Sequence, residues 1–484
     1  MLTIFVDQNN PSRRIALPHN QCSRRDFLRI GSVSLGGLGL SEALAARAAE
    51  KSSYVRDRSV VLLYLSGGAS HIETFDPKMS APAEVRSMTG EVPTSITGVS
   101  FGGTFPKLAA LAKHMAVVRS HQHAVTDHVK AHVHVLTGGT DASGSGKDGF
   151  SMGSMYARLR GTNHPETGMP TFSVLTTPEI DGQYRKELDR VLLGSQPGPL
   201  GLANAPFHHA GEEVDGKSTR TQPQKNGSLA ADMLLNLPGD RFGDRRALLQ
   251  QLDGISRGLD GSGKMAGFDK YYQQATELVL GGAAKAFDLR QEDRRLVERY
   301  ETQQIQVGHK QFRPSTLGRQ MLLARRLCEA GCGFVTVHSA GWDMHADGNN
   351  PGIVKGMAML GRSLDIAVSA FLEDVASRGL SDRILLVVTG DFGRTPKINI
   401  RGGRDHWSKL CTLAFAGGGL RMGQVVGQSS RSGDSPTSTP YTTSHLIATI
   451  MHSLFELGQV RLQSGIPREI TRITDEAKPI PELV

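Results

Sequence analysis

A chain of 484 residues, 38% hydrophobic and 21% charged with 56 glycines, can bury a large α/β core and is not generally disordered. Its net charge is +8, but no long Lys/Arg block with interleaved aromatics is present, which argues against a nucleic-acid partner. Four cysteines without a CxxC pair argue against a disulfide scaffold and a cysteine-rich structural zinc site, though one bridge is compatible with them.

The first segment reads as an export signal. In SRRDFLRIG, Arg24 and Arg25 precede Phe27 and Leu28, and a modest glycine-rich apolar run follows from Ile30 to Leu40. Small residues then lead to ARAA at Ala46–Ala49, the pattern of a peptidase site. The bland alternative is a short amphipathic helix with chance arginines. Residues 1–48 are therefore expected to be a twin-arginine signal peptide, with the mature domain at 49–484. Removing six arginines and three acids lowers the net charge from +8 to +5, so much of the basic character belongs to the signal. The expected location is periplasmic or secreted, reached through the twin-arginine export machinery. No later stretch reaches the ~18 apolar residues needed for a transmembrane anchor.

Ser59–Gly68 (SVVLLYLSGG) predicts a buried strand running into a glycine turn, followed by Ser70, His71, Glu73 and Asp76. Further apolar runs stand at Met115–Ser120, Thr171–Leu175, Phe334–His338, Ile384–Gly390 and Cys411–Gly418. Continuous rather than alternating apolarity suits strands covered on both faces, as in a parallel sheet.

After Met115–Ser120 come five histidines between His121 and His134, out of 17 in the chain. A helix starting at Thr126 or Asp127 places His128 and His132 on one face, with Val129, Val133 and Leu136 as the neighbouring apolar stripe. Three readings stay open. His128 and His132 bind a metal or substrate, with His123 near the mouth of the site. Alternatively His128 acts as nucleophile, or as base for a water or for Thr126. Otherwise these are ordinary helix histidines.

Residues 177–225 have a loop-like composition, and 226–302 read as a polar helical insertion over the sheet. Ser315–Gly331 predicts a helix with an N-capping serine and a terminal glycine, and 352–379 predicts another. Strand–helix–strand alternation of this kind means an α/β sandwich.

In such a sheet, ligands bind beyond the carboxyl ends of the strands. Asp343 and His345 follow one predicted strand, Asp391 follows the next, and Asp405 and His406 come soon after. Carboxylate plus imidazole suits a divalent cation, zinc first, with manganese or calcium also compatible. Arg394 could clamp an anionic substrate group, or pair with Asp391 and fix the turn. Trp407 lines the pocket or simply packs.

LLARRLCEAGCGFVTVHSAGWDMHADG, LSDRILLVVTGDFGRTPKINIRGGRDHWSKLCTLAFAGGGLRMGQVVGQS and TSHLIATIMHSLF closely resemble a large bacterial family of exported proteins. That family carries a domain-of-unknown-function label within the alkaline-phosphatase and sulfatase superfamily. The resemblance implies an alkaline-phosphatase-like, mostly parallel sheet between helices. It further implies a metal-dependent hydrolase of phosphate or sulfate esters, acting on a small anionic molecule or a polysaccharide. The rival is a non-catalytic periplasmic binding or envelope protein that keeps the fold.

Residue by residue, Asp343 and His345 match the first-metal ligands, Asp391 matches the Asp that serves the second, and His406 matches the later metal-binding histidine. Phe392 stands where another ligand is usual, and Ser66-Gly67-Gly68 where an Asp is expected; His71 or Asp76 could substitute. Counting back from Leu136-Thr137-Gly138, His128 stands in the sulfatase nucleophile slot and His132 in the arginine slot. Thr126 is the nearest hydroxyl. The absence of a Cys/Ser-x-Pro-x-Arg sequence nearby disfavours a formylglycine sulfatase.

Overall fold

The computed structural model describes residues 5–6, 14–15, 54–177, 181–211, 283–463 and 465–484. The expected signal lies outside these residues except at two short strands, Phe5–Val6 and Arg14–Ile15, which pair antiparallel within a first unit ending at Tyr54. All that follows concerns the second unit, Val55–Val484. Most of the helical insertion expected at 226–302 also lies outside the described residues. Its end holds short helices at Ala284–Phe287 and Arg294–Arg299.

An eight-stranded sheet forms the centre. Its strands are β1 (Ser59–Leu65), β2 (Ala116–Val118), β3 (Phe172–Thr176), β4 (Phe207–Ala210), β5 (Phe334–Ser339), β6 (Ile384–Gly390), β7 (Leu413–Gly417) and β8 (Gln424–Val426). They lie in the order β8-β2-β7-β6-β1-β5-β3-β4. Only β7 runs against its neighbours, β6 and β2; every other pairing is parallel. The sheet is therefore mostly parallel and sandwiched between helices, as expected.

Both faces are covered, which is why the strands read as continuous apolar runs. Val61, Leu63 and Leu65 of β1 join a core with helix α5 (Leu317–Glu329) and helix α6 (Arg362–Ser377). On the opposite face Tyr64 meets His132 of helix α2 (His128–Leu136), with ring centroids 5.4 Å apart. Helix α3 (Met152–Arg160) covers β3 there. A Cβ on its Gly153 would come within 2.3 Å of the Phe172 ring, so only glycine allows that approach. Helix α5 ends at a glycine as expected, Gly331 with φ +102°, but its N-cap is Thr316 rather than Ser315, with no side-chain cap bond. The region read as loop holds a 13-residue helix, α4 (Gly182–Gly194), which was missed.

The register places the candidate site. Leu65 pairs with Ser339 on one side and Gly390 on the other, so Ser66, Ala340 and Asp391 leave three adjacent strands at one level. Among the described residues, no helix is long and apolar enough to cross a membrane.

Candidate metal centre

Three central strands deliver the floor of the site. After β1, Gly67 takes φ +102°, and a Cβ there would lie 2.5 Å from the Asp343 nitrogen. Only glycine fits, because the turn must hug the loop that brings Asp343 in from β5. Gly67 N–H donates to Asp391 Oδ1 at 3.0 Å. Beyond β6 the chain folds back, and Gly393–Arg394 pairs antiparallel with His406–Trp407. That short ladder brings His406 over Asp343. Helix α2 adds His128 at its first turn, capped by Asp127, whose carboxylate accepts from Lys130 N–H.

Asp343 is the focus. Its Oδ2 lies 3.4 Å from His128 Nε2, and its Oδ1 lies 2.9 Å from His345 Nε2 and 3.6 Å from His406 Nε2. The opposite nitrogen of each ring is held by an oxygen acceptor. His128 Nδ1 donates to Asp391 Oδ2 at 2.6 Å, His345 Nδ1 to Asp405 Oδ1 at 2.9 Å, and His406 Nδ1 to the Thr126 carbonyl at 3.0 Å. Carboxylates and carbonyls only accept, so each tether puts a proton on Nδ1. In a neutral ring that leaves Nε2 with a lone pair, which in His345 already accepts from Arg394 Nη1 at 3.2 Å. All three Nε2 atoms face one carboxylate.

This arrangement fits a cation. Nε2 of His128 and of His406 are buried without hydrogen-bond partners and so are open to a ligand. The ligand atoms of His128, Asp343 and His406 lie within 4.8 Å of one another. Ligands ~2.0–2.1 Å from a tetrahedral ion are ~3.4 Å apart, close to the 3.4 and 3.6 Å seen here. An oxygen acceptor behind each ligating histidine is the usual companion of such a site.

A second grouping, His128 with His132 and Asp391, is close enough to hold an ion but is already committed. His132 Nδ1 donates to the His128 carbonyl at 2.7 Å, and its Nε2 accepts from Ser66 Oγ at 2.6 Å. Both Asp391 carboxylate oxygens are taken, by Gly67 N–H and by His128. This layer supports the centre from beneath.

The electrostatics agree. Burial works against the charge of His128, but the facing carboxylates of Asp343 and Asp391 outweigh that and raise its pKa to about 9. Burial likewise opposes the Asp343 charge, yet Arg394 and the histidines hold the carboxyl well below the usual range. Asp391 reaches about 2 against its own burial because His132 and His128 face it. His132 and His123 are driven down to about 4, chiefly by burial, and stay neutral.

Several expectations change. Arg394 pairs with Asp343, not Asp391, and it is not a substrate clamp. Its guanidinium is fully buried and bonds the carbonyls of Gly67, Gly68 and Arg404, the His345 ring and Asp343, which commits every N–H it has. Neither His123 nor His132 is free for substrate. His123 Nε2 donates to the Asp391 carbonyl at 2.7 Å while its Nδ1 accepts from Val125 N–H, and His132 is fully buried beneath the centre.

His71 joins neither ligand group. Its Nε2 donates to the Gly433 carbonyl at 2.9 Å. Asp76 instead pairs with Lys78 and Arg119. Asp391 stands behind the centre, where it orients His128. His128 itself lies between two carboxylates, with Nδ1 on Asp391 and Nε2 facing Asp343. Thr126 is exposed, and its carbonyl rather than its hydroxyl reaches the site.

Two supports escape the sequence reading, and a third, Asp405, stands among its candidate cation groups but bonds His345. Ser66 has no motif beyond its turn. Glu187 lies on α4, inside the stretch taken for loop. Fully buried, it accepts from Gly341 N–H at 2.7 Å and so anchors the loop leading to Asp343.

A family model described as Protein of unknown function (DUF1501) matches residues 57–484. No curated protein matches the chain. Among solved structures, the chain is similar to Ps i-CgsB at 11% identity, covering 88% of this chain and 78% of that one, with a TM-score of 0.36. It is similar to the lipoteichoic acid synthase LtaP from Listeria monocytogenes at 10% identity, with 85% and 78% covered and a TM-score of 0.34. The PsFucS1 sulfatase from Pseudoalteromonas sp. matches at 13% identity, with 81% and 67% covered and a TM-score of 0.33. Likeness at this level carries no argument about chemistry, which rests on the geometry above.

Proposed function

Because the chain belongs to the DUF1501 family of proteins of unknown function, we propose a function from the centre itself. It is an exported hydrolase that uses one divalent cation, zinc first and manganese or calcium next, on phosphate or sulfate esters. The observation that carries this reading is the convergence of three tethered imidazoles, His128, His345 and His406, on Asp343.

When bound, such a cation supplies Lewis acidity toward an ester oxygen and acidifies water. The chain does the rest. Asp391 and the Thr126 carbonyl keep His128 and His406 in the tautomer that frees Nε2, while Asp405 holds His345 against Asp343. Arg394 pins Gly67 and Gly68 against Asp343 and leaves no donor for substrate. The open side is marked by Asp405 and His406, whose side chains are 55% and 30% exposed. An ester therefore approaches past Asp405, His406 and Thr126. The preference for anionic esters, small or polysaccharide, rests on the motif resemblance. Export by the twin-arginine route, to the periplasm or beyond, belongs to the same proposal and rests on SRRDFLRIG.

One observation favours a second reading, a periplasmic or envelope binding protein that keeps the cation without turnover. The hydroxyl nearest the floor, Ser66, is fully buried against His132, and His128 is held as a ligand.

The test is elemental analysis of the purified mature protein, with aryl phosphate and aryl sulfate assays on wild type, Asp343→Ala and His406→Ala. One cation per chain, lost in both variants together with any hydrolysis, supports the enzyme. A bound cation without turnover selects the second reading. A wild-type protein that retains no cation overturns both.

A further inference from the structure

The loop carrying Asp405 and His406 has no regular structure beyond its two-residue ladder, yet it must present His406 Nε2 to Asp343 within a few tenths of an ångström. Arg404, next to both, is fully buried and so is Glu73 on helix α1 (His71–Thr74). Glu73 Oε1 accepts from Arg404 Nε at 3.1 Å and from Nη2 at 2.8 Å. Glu73 Oε2 accepts from Ser87 Oγ at 2.7 Å, Met88 N–H at 3.1 Å and Thr89 Oγ1 at 3.3 Å. The remaining guanidinium donors reach the carbonyls of Val85, Arg86, Thr395 and Pro396. The pair is thus completely satisfied, which a buried ion pair requires.

The backbone of the same arginine ties the ligand loops together. Arg404 N–H donates to the Met344 carbonyl at 3.0 Å, between Asp343 and His345. Its carbonyl accepts from Arg394 Nη1 at 3.2 Å, the guanidinium that also holds Asp343. Gly403 before it packs so tightly on His345 that a Cβ would come within 2.2 Å of the His345 carbonyl. The Arg404 backbone is thus tied to the loops that carry Asp343, His345 and His406.

We propose that Glu73 is a positioning residue for the cation centre, acting through its buried ion pair with Arg404. The inference rests on the one-cation reading above. Glu73 touches no ligand, so a role limited to general stability would leave the ligand geometry unchanged in any variant that folds.

Cobalt(II) titration followed by visible absorption separates the alternatives. The variants are wild type, Glu73→Gln, Arg404→Lys and Ser87→Ala, with circular dichroism as the fold control. Wild type should bind one cobalt with a ligand-field band of a four- or five-coordinate ion. Folded Glu73→Gln and Arg404→Lys should bind about 10–100-fold more weakly, with a shifted band, the usual loss when a support of a metal ligand is removed. Ser87→Ala removes one bond to Glu73 without stranding a charge, and should show a smaller loss in the same direction. A folded Glu73→Gln with wild-type affinity and spectrum overturns the proposal. If neither charge variant folds, Ser87→Ala decides, and unchanged cobalt binding there overturns it equally. Failure of wild type to bind cobalt overturns the one-cation reading, and this inference with it.

Discussion

His128 Nδ1 donates to Asp391 Oδ2 at 2.6 Å, which turns its Nε2 toward Asp343. The carboxylate fixes both the tautomer and the ring plane. Asp391→Asn keeps the shape but removes the charge, so zinc affinity should fall about 10–100-fold. Competition with a chelating dye measures it; an unchanged affinity would mean that Asp391 does not orient the ring.

Cation binding should release a proton. In the cation-free protein His128 has its pKa raised from 6.5 to about 9. A raised pKa contributes stability that is complete below the ordinary value and disappears as pH rises through about 9. A cation must displace that proton, so affinity should climb as pH rises toward about 9 and level off above. Calorimetry at pH 7 in buffers of different ionisation enthalpy should report release of about one proton; zero release contradicts this assignment.

Gly67→Ala should be severe. The backbone is left-handed at φ +102°, and the new methyl would stand 2.5 Å from the Asp343 nitrogen. The conformation costs about 1–2 kcal/mol and the overlap about 1–3 kcal/mol more. Urea unfolding should show a loss of at least ~2 kcal/mol together with loss of the cation. Gly90→Ala, at φ +76° with open space around the added Cβ, isolates the conformational part.

Glu187 gives a pH signature of opposite origin. Burial raises its carboxyl pKa well above the ordinary value, with the Gly341 bond only partly opposing that. The neutral acid favours the fold, so its contribution is full at low pH and declines as pH rises above the ordinary carboxyl range. Glu187→Gln keeps an acceptor for Gly341 N–H and cannot ionise. Its melting temperature should match wild type near pH 4 and equal or exceed it at pH 8. Glu187→Ala strands the amide and should cost about 1–3 kcal/mol throughout. A glutamine variant that loses stability as pH rises would contradict the neutral-acid assignment.

The sheet was largely legible. Ile384–Gly390 was read to its last residue, and the other long apolar runs differ from their strands by a few residues at the ends. Burial on two faces removes alternation, and a long apolar run is a strong signal. Both edge strands were missed: Gln424–Val426 is only three residues long, and Phe207–Ala210 alternates half-buried with exposed residues and includes two histidines, so nothing in it reads as core. Helix α4 was missed because its buried positions include Glu187 and Gly194, which carry no apolar periodicity. The reversal of β7 was invisible as well, since its run Leu413–Gly417 is as apolar as its parallel neighbours.

For the centre, the sequence by itself determined which chemistry is available: Asp343, His345, Asp391 and His406 sit just beyond strands, where a parallel sheet exposes its ligands. It could not determine what each does. A histidine ligates through the nitrogen its other partner leaves free, and those partners lie 263, 60 and 280 residues away from His128, His345 and His406. Local sequence carries no trace of such pairings. Only the tertiary structure decided that His128 and His406 turn Nε2 toward Asp343, that Asp391 stands behind His128, and that Arg394 is bound up in the fold. Tautomer and lone-pair direction are set by acceptors that meet in space alone.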